Sequence, residues 1–181
     1  MVAAHVPEMH VIGEILGGVG FGTGVSCMYR VEAGKNWTLL CGHDAGHTQV
    51  AYADPEELAP WNHPLDVHYT TKSMQGWPRL VMQVWRLDEF GRMAVQGYGF
   101  AHLPCAAGAA EVAVPCWRPV GSVQEEIASF FLGTAPQLRS DEVLFNMAWD
   151  QRCQLTTAPS GTIILQLNIL LRDMRDQNVD T

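Results

Sequence analysis

Between Ile163 and Leu171 the aliphatic residues recur at every second position. Ile163, Leu165, Leu167, Ile169 and Leu171 share one parity, and Gln166 and Asn168 fall on the other. Side chains of an extended chain alternate between two faces, whereas a helix would spread these residues around its axis. The stretch is therefore a strand with one dry face and one wet face. It is also the longest apolar run of the chain, and it is too short and too often interrupted to cross a bilayer. No transmembrane segment is expected.

A strand of this kind must pair with others, and the remaining chain supplies them. Candidate strands are Val11–Leu16, Val25–Val31, Trp37–Leu40, Thr48–Tyr52, Leu65–Thr70, Leu80–Arg86, Val95–His102, Glu111–Val114, Gln151–Thr157 and Thr162–Arg172. Short extended runs separated by Gly and Pro signal an all-β sandwich or barrel. One segment reads as helix. Ser122 caps it, Glu125 completes a capping box, Val123, Ile127, Phe130 and Phe131 form its apolar stripe, and Gly133 stops it. The 181 residues fit one domain. We place it at residues 10–172, with short termini at 1–9 and 173–181.

Charge narrows the partners. The net charge is −8, and Lys35 and Lys72 are the only lysines. Such a surface repels phosphate backbones and gives no general attraction to anionic lipid, so nucleic acid is excluded and direct membrane binding is expected to be weak or absent. Cys27, Cys41, Cys105, Cys116 and Cys153 are odd in number and scattered, and Met1–His10 has no secretory pattern. The thiols are read as reduced and the protein as cytoplasmic.

Chemistry-bearing motifs are sparse. Gly17-Gly18-Val19-Gly20-Phe21-Gly22-Thr23-Gly24 lacks the Gly-Lys-Ser/Thr of a phosphate loop, and a hairpin turn is the expectation. Cys41, His43 and His47 have no standard zinc spacing and no evident fourth ligand. Carboxylates come as sequence neighbours, such as Glu56-Glu57 and Asp88-Glu89, which an extended chain points to opposite faces. No Gly-x-Ser-x-Gly elbow is present. We expect no catalytic residue, no cofactor and no metal. Six tryptophans remain, of which Trp149 and the trio Trp61, Trp77 and Trp117 sit by loops. These three are the candidate interaction anchors, with packing against strand ends as the competing account.

Longer motifs carry a family resemblance. They are Trp61-Asn62-His63-Pro64-Leu65-Asp66-Val67-His68-Tyr69, Gly76-Trp77-Pro78-Arg79-Leu80, Phe90-Gly91-Arg92, Gly97-Tyr98-Gly99-Phe100, Trp117-Arg118-Pro119-Val120-Gly121-Ser122 and Leu170-Leu171-Arg172. Together, from His10 to Arg172, they resemble the B9-domain family. The resemblance implies a C2-like antiparallel β-sandwich. It implies a non-enzymatic scaffold of the ciliary transition zone and basal body, within the Meckel-syndrome module that supports cilium biogenesis and gates entry to the cilium. It further implies other B9-domain proteins as partners, including the Meckel syndrome type 1 protein, and indirect contact with transition-zone membrane proteins. Gly76–Pro104 resembles the third-loop hairpin of a C2 domain. A calcium-binding loop there reads Asp-x-Asp-x5-Asp-x-x-Gly, and this chain has Arg86, Asp88, Ala94 and Gly97 at those positions. With one carboxylate left, no tight Ca²⁺ site is expected. A peripheral, calcium-independent lipid-binding module of C2 type is the alternative, and it would need a basic face from Arg79, Arg86 and Arg92.

Overall fold

The computed structural model describes residues 6–54, 56–121, 138 and 156–174. They form nine strands: β1 (Glu8–Val19), β2 (Val25–Glu32), β3 (Trp37–Gly42), β4 (Ala45–His47), β5 (Ala59–Thr71), β6 (Arg79–Leu87), β7 (Met93–His102), β8 (Gly108–Pro119) and β9 (Thr157–Arg172). Every neighbouring pair is antiparallel, in the order β3-β5-β1-β9-β8-β7-β6-β2-β4. The all-β, antiparallel expectation is met. The expected helix beginning at Ser122, and the first five residues of the Gln151–Thr157 candidate, lie outside the described residues.

The sheet folds on itself into two walls. β8 runs in long register with β9 but meets β7 at one pair only, Tyr98 and Trp117, and the sheet turns there. At the other extreme the outermost strands β3 and β4 are joined by just His43 and Asp44. One wall is therefore β3-β5-β1-β9-β8 and the other β7-β6-β2-β4. Their inner faces share one core, built from Met9, Val11 and Ile15 of β1, Leu65 and Val67 of β5, the β9 aliphatics, Val25, Cys27 and Val31 of β2, and Leu80, Met82 and Val84 of β6. Each buried aliphatic contributes about 1.5–3 kcal/mol. In β9 the alternation behaves as read: Ile163, Leu165, Leu167 and Ile169 are buried, and Gln166 and Asn168 are exposed.

Polar contacts tie wall to wall. The Trp61 indole N–H donates to the Val25 carbonyl at 3.0 Å, and Tyr29 Oη lies 3.3 Å from His63 Nε2. A second, smaller cluster of Val81, Val95 and Tyr98, with Trp85, Phe100 and Trp117 around it, has Leu138 packed on it. The Leu138 N–H donates to Tyr98 Oη at 3.1 Å.

Two local expectations are corrected. Gly17–Gly24 is not a hairpin turn, because β1 and β2 do not pair; the segment carries the chain from one wall to the other. β1 itself runs on to Val19, since Gly18 lets Trp61 and Phe21 close over the backbone, where a Cβ would come within 2.7 Å of the Trp61 ring. Thr48–Tyr52 is not a strand. It touches β2 by one bridge, Val25 with Ala51, and Thr48 instead uses its hydroxyl to accept the Cys27 N–H at 2.9 Å.

Candidate functional site: two ends of the sandwich

One end gathers the turn after β1, residues 52–54 and 56–58, and the β6–β7 loop. Gly24 binds them together: its carbonyl accepts the Leu87 N–H at 2.8 Å, and a Cβ on it would meet the Leu87 carbonyl and the Tyr52 ring. Leu58 packs beside Gly17. The β6–β7 loop is the hairpin with the depleted calcium pattern, and its surviving carboxylate is already engaged. Asp88 Oδ1 accepts the N–H groups of Phe90 at 2.9 Å and Arg92 at 2.8 Å, while Oδ2 takes Arg92 Nε at 2.6 Å. The backbone adds Asp88 N–H to Arg92 O and Gly91 N–H to Asp88 O. The Arg92 backbone N–H is foremost in holding the Asp88 carboxyl below its ordinary value of 3.8. Gly97, the other survivor of the pattern, serves packing, because a Cβ there would sit 3.1–3.2 Å from Phe21, Ser160 and Cys116. So the carboxylate straps a loop, and the glycine seats the core.

That strap displays an aromatic ring. Phe90 is 82% exposed, the most exposed large apolar side chain among the described residues, and the Arg92 guanidinium lies 5.2 Å from its centroid. Tyr52, 70% exposed, and the exposed Leu58 and Met93 belong to the same end. Sequence reasoning passed over these residues. Phe90 lies within the Phe90-Gly91-Arg92 motif, and the signal available was Asp88 two positions before it, a residue type that turns the chain through its own side chain.

The opposite end turns its aromatics inward. Trp37 and Trp77 meet edge to face at 5.2 Å, and Tyr69 lies edge-on to Trp37 at 6.4 Å. Trp37 Nε1 donates to Gln75 O and Trp77 Nε1 to Leu103 O. They border a cleft of about 530 Å³ where β3 and β2 diverge, with Glu32, Asp44 and Arg79 also on its wall. Burial first, and then Asp44, pushes the Tyr69 phenol up to about 12. Glu32 binds Arg30 and Arg79, so the cleft's charges are largely matched.

The three candidate anchors sit in unequal places. Trp61 is 1% exposed and wedged between the walls. Trp77 is half-buried in the cleft, and Trp117 is half-buried against Tyr98 at 5.9 Å. The structure does not bring the three together. Cys41, His43 and His47 are likewise spread over β3, the two-residue link and β4. Among the described residues no three His, Cys, Asp or Glu side chains could hold one metal ion. His47 acts instead on His63, whose pKa is lowered below 6.5 by burial first and by His47 second. The Cys116 thiol is pushed up to about 12 by burial, and Cys27 is raised further for the same reason, so neither is a poised nucleophile.

Comparison with known proteins adds a family. Residues 9–170 match the B9-C2 family model, described as "Ciliary basal body-associated, B9 protein". B9 domain-containing protein 2 of Homo sapiens is 42% identical over 96% of this chain and 98% of its own length. The Danio rerio protein of that name is 41% identical over 96% of this chain and 99% of its own length. B9 domain-containing protein 1 of Mus musculus is 30% identical over 86% of this chain and 76% of its own length. A C2 domain of plant extended synaptotagmin 1 superposes loosely, at TM-score 0.44 and 11% identity, covering 91% of this chain and 95% of that one.

Proposed function

This chain belongs to the B9 family of ciliary basal body-associated proteins, and from that membership we propose that it is a non-enzymatic scaffold subunit of the ciliary transition zone. Its single domain, residues 10–172, holds other B9-domain proteins and the Meckel syndrome type 1 protein in one heteromeric complex, which touches transition-zone membrane proteins indirectly. It works at the basal body and transition zone, on the cytoplasmic side, in support of cilium biogenesis and the ciliary gate. The observation that carries this reading is identity of 42% over nearly the whole of both chains.

The geometry supports a binding role in two ways. First, the chemistry-bearing side chains are engaged in structure: Asp88 in its loop, Cys27 and Cys116 in the core, His63 against Tyr29. Second, ordered surface aromatics are available. Trp77 and Trp117 keep part of their rings at the surface and remain candidate anchors alongside Trp61, whose indole a partner would reach only by opening the walls. The lipid-binding alternative draws less support. Two of the arginines it needs are tied to carboxylates, Arg79 to Glu32 and Arg92 to Asp88.

The test is co-expression with B9 domain-containing protein 1 and the Meckel syndrome type 1 protein, followed by size-exclusion chromatography. A shared peak is the expected result. A chain that elutes alone as a monodisperse monomer in their presence would defeat the scaffold reading.

A further inference from the structure

We propose that the end of the sandwich carrying the β6–β7 loop is the docking surface, with Phe90 as an anchor that enters an apolar pocket rimmed by basic side chains on a partner B9-domain chain. This rests on the scaffold reading and assigns it a surface.

The first ground is the cost of exposure. Of the nine exposed large apolar side chains among the described residues, four, Tyr52, Leu58, Phe90 and Met93, fall at this one end, and Phe90 and Tyr52 are the two most exposed of all. Exposed apolar side chains gathered at one end of a fold mark a binding site more often than scattered ones do.

The second ground is preorganisation. A mobile tip would lose its freedom on binding and spend part of the contact energy doing so. This tip is already fixed. Asp88 ties the backbone at Phe90 and Arg92, two backbone bonds close the same turn, and Gly91 takes the left-handed conformation (φ 77°) that the turn requires. The Arg92 guanidinium over the ring restrains the side chain as well. Rigid aromatics with a small entropy loss are the residue type that dominates interface energies.

The third ground is charge, which selects the occupant. Asp54, Glu56, Glu57 and Glu89 are exposed at this end, while Arg92 is consumed by Asp88. Arg86, three residues before Glu89, is the other exposed cation of this hairpin. An acidic rim around an apolar centre complements a basic rim around an apolar pocket. It repels the anionic headgroups that a loop inserting into membrane would have to approach.

The test immobilises B9 domain-containing protein 1 and the Meckel syndrome type 1 protein separately and measures binding of the full chain by surface plasmon resonance. Three variants are compared: Phe90→Ala, the triple Glu56→Lys/Glu57→Lys/Glu89→Lys, and the control Leu170→Ala at an exposed site on β9. All the altered side chains are exposed, and thermal melts verify that each variant folds. On whichever partner binds, Phe90→Ala should weaken affinity at least about thirtyfold with an unchanged melting temperature. The triple variant should slow association about tenfold at low salt, and the gap should close as salt rises. Leu170→Ala should stay within about twofold. Binding of the wild-type chain to neither partner defeats the scaffold reading, and the docking surface with it. Binding that is indifferent to both Phe90→Ala and the charge reversal removes the docking surface alone. Loss by Phe90→Ala of co-sedimentation with phosphatidylserine vesicles, with partner binding intact, overturns it in favour of a membrane contact.

Discussion

The two ends of the sandwich spend aromatic residues in opposite ways. At the cleft end, Trp37, Tyr69 and Trp77 stack edge to face, and both indole N–H groups find backbone carbonyls. At the loop end, Phe90 and Tyr52 face water, and a network of short polar bonds holds the backbone beneath Phe90. In the first case burial of the rings supplies the stability. In the second, stability comes from hydrogen bonds in the turn, and the ring is left free to be used elsewhere. An aromatic in a loop is thus no guide to its role until its surroundings are known.

The difference can be broken most forcefully at the cleft end. Trp37→Ala should cost about 3–5 kcal/mol in denaturant unfolding, as for other buried aromatics. A midpoint shift of well under this would mean that the cleft aromatics are as dispensable to the fold as Phe90. Beneath the loop end the core is just as tight, and Gly97→Ala should cost about 1–3 kcal/mol by pressing on Phe21, Ser160 and Cys116. Phe90→Ala should change stability by no more than about 0.5 kcal/mol. A larger loss would show that the ring packs on the body of the protein in solution.

Two smaller effects depend on pH. Asp88 is more acidic in the folded loop than in an open chain, so its contribution is present above 3.8 and is lost as pH falls through its lower folded value. Carboxyl NMR titration should find that lower value, and Arg92→Ala should raise it by only part of the shift, since the backbone N–H at position 92, the larger cause, remains. His63 also has a lowered pKa, which for a histidine means that the folded state resists protonation. Its contribution is present above 6.5 and diminishes as pH falls from 6.5 to the folded value, then stays level. His47→Gln should move the His63 titration back upward by a fraction of the shift, since burial is the larger cause.

Much of the architecture was written in period-two patterning. β9, β6 and β7 emerge where alternation or β-branched content placed them, because one buried face dictates register. Thr48–Tyr52 has the residues of a strand and yet makes a single bridge, since Thr48 spends its hydroxyl on the β2 backbone. The Gly17–Gly24 segment deceived for another reason: glycine allows a turn but does not say which strands it joins, and that is decided by contacts with distant Trp61. Trp61 and Trp77 look alike in sequence, each next to a proline, while one is sealed in the core and the other borders a cleft. Phe90 was hidden among ordinary turn residues. Its exposure follows from the Asp88 bonds, which composition does not reveal.

β9 lies between β1 and β8, and its pairing with β1 runs from Glu8 with Arg172 to Val19 with Thr162. A strand near the start of the sequence thus waits for one made more than a hundred residues later. During synthesis, every earlier strand emerges while two central edges, those of β1 and β8, are still bare. Such edges invite pairing with other chains, and long-range closure of this kind is slow. The nascent protein is therefore most vulnerable just before β9 emerges. A stop codon within β9 would release a sheet divided at its middle, with two adhesive borders, and the expected consequence is aggregation and clearance of the truncated product.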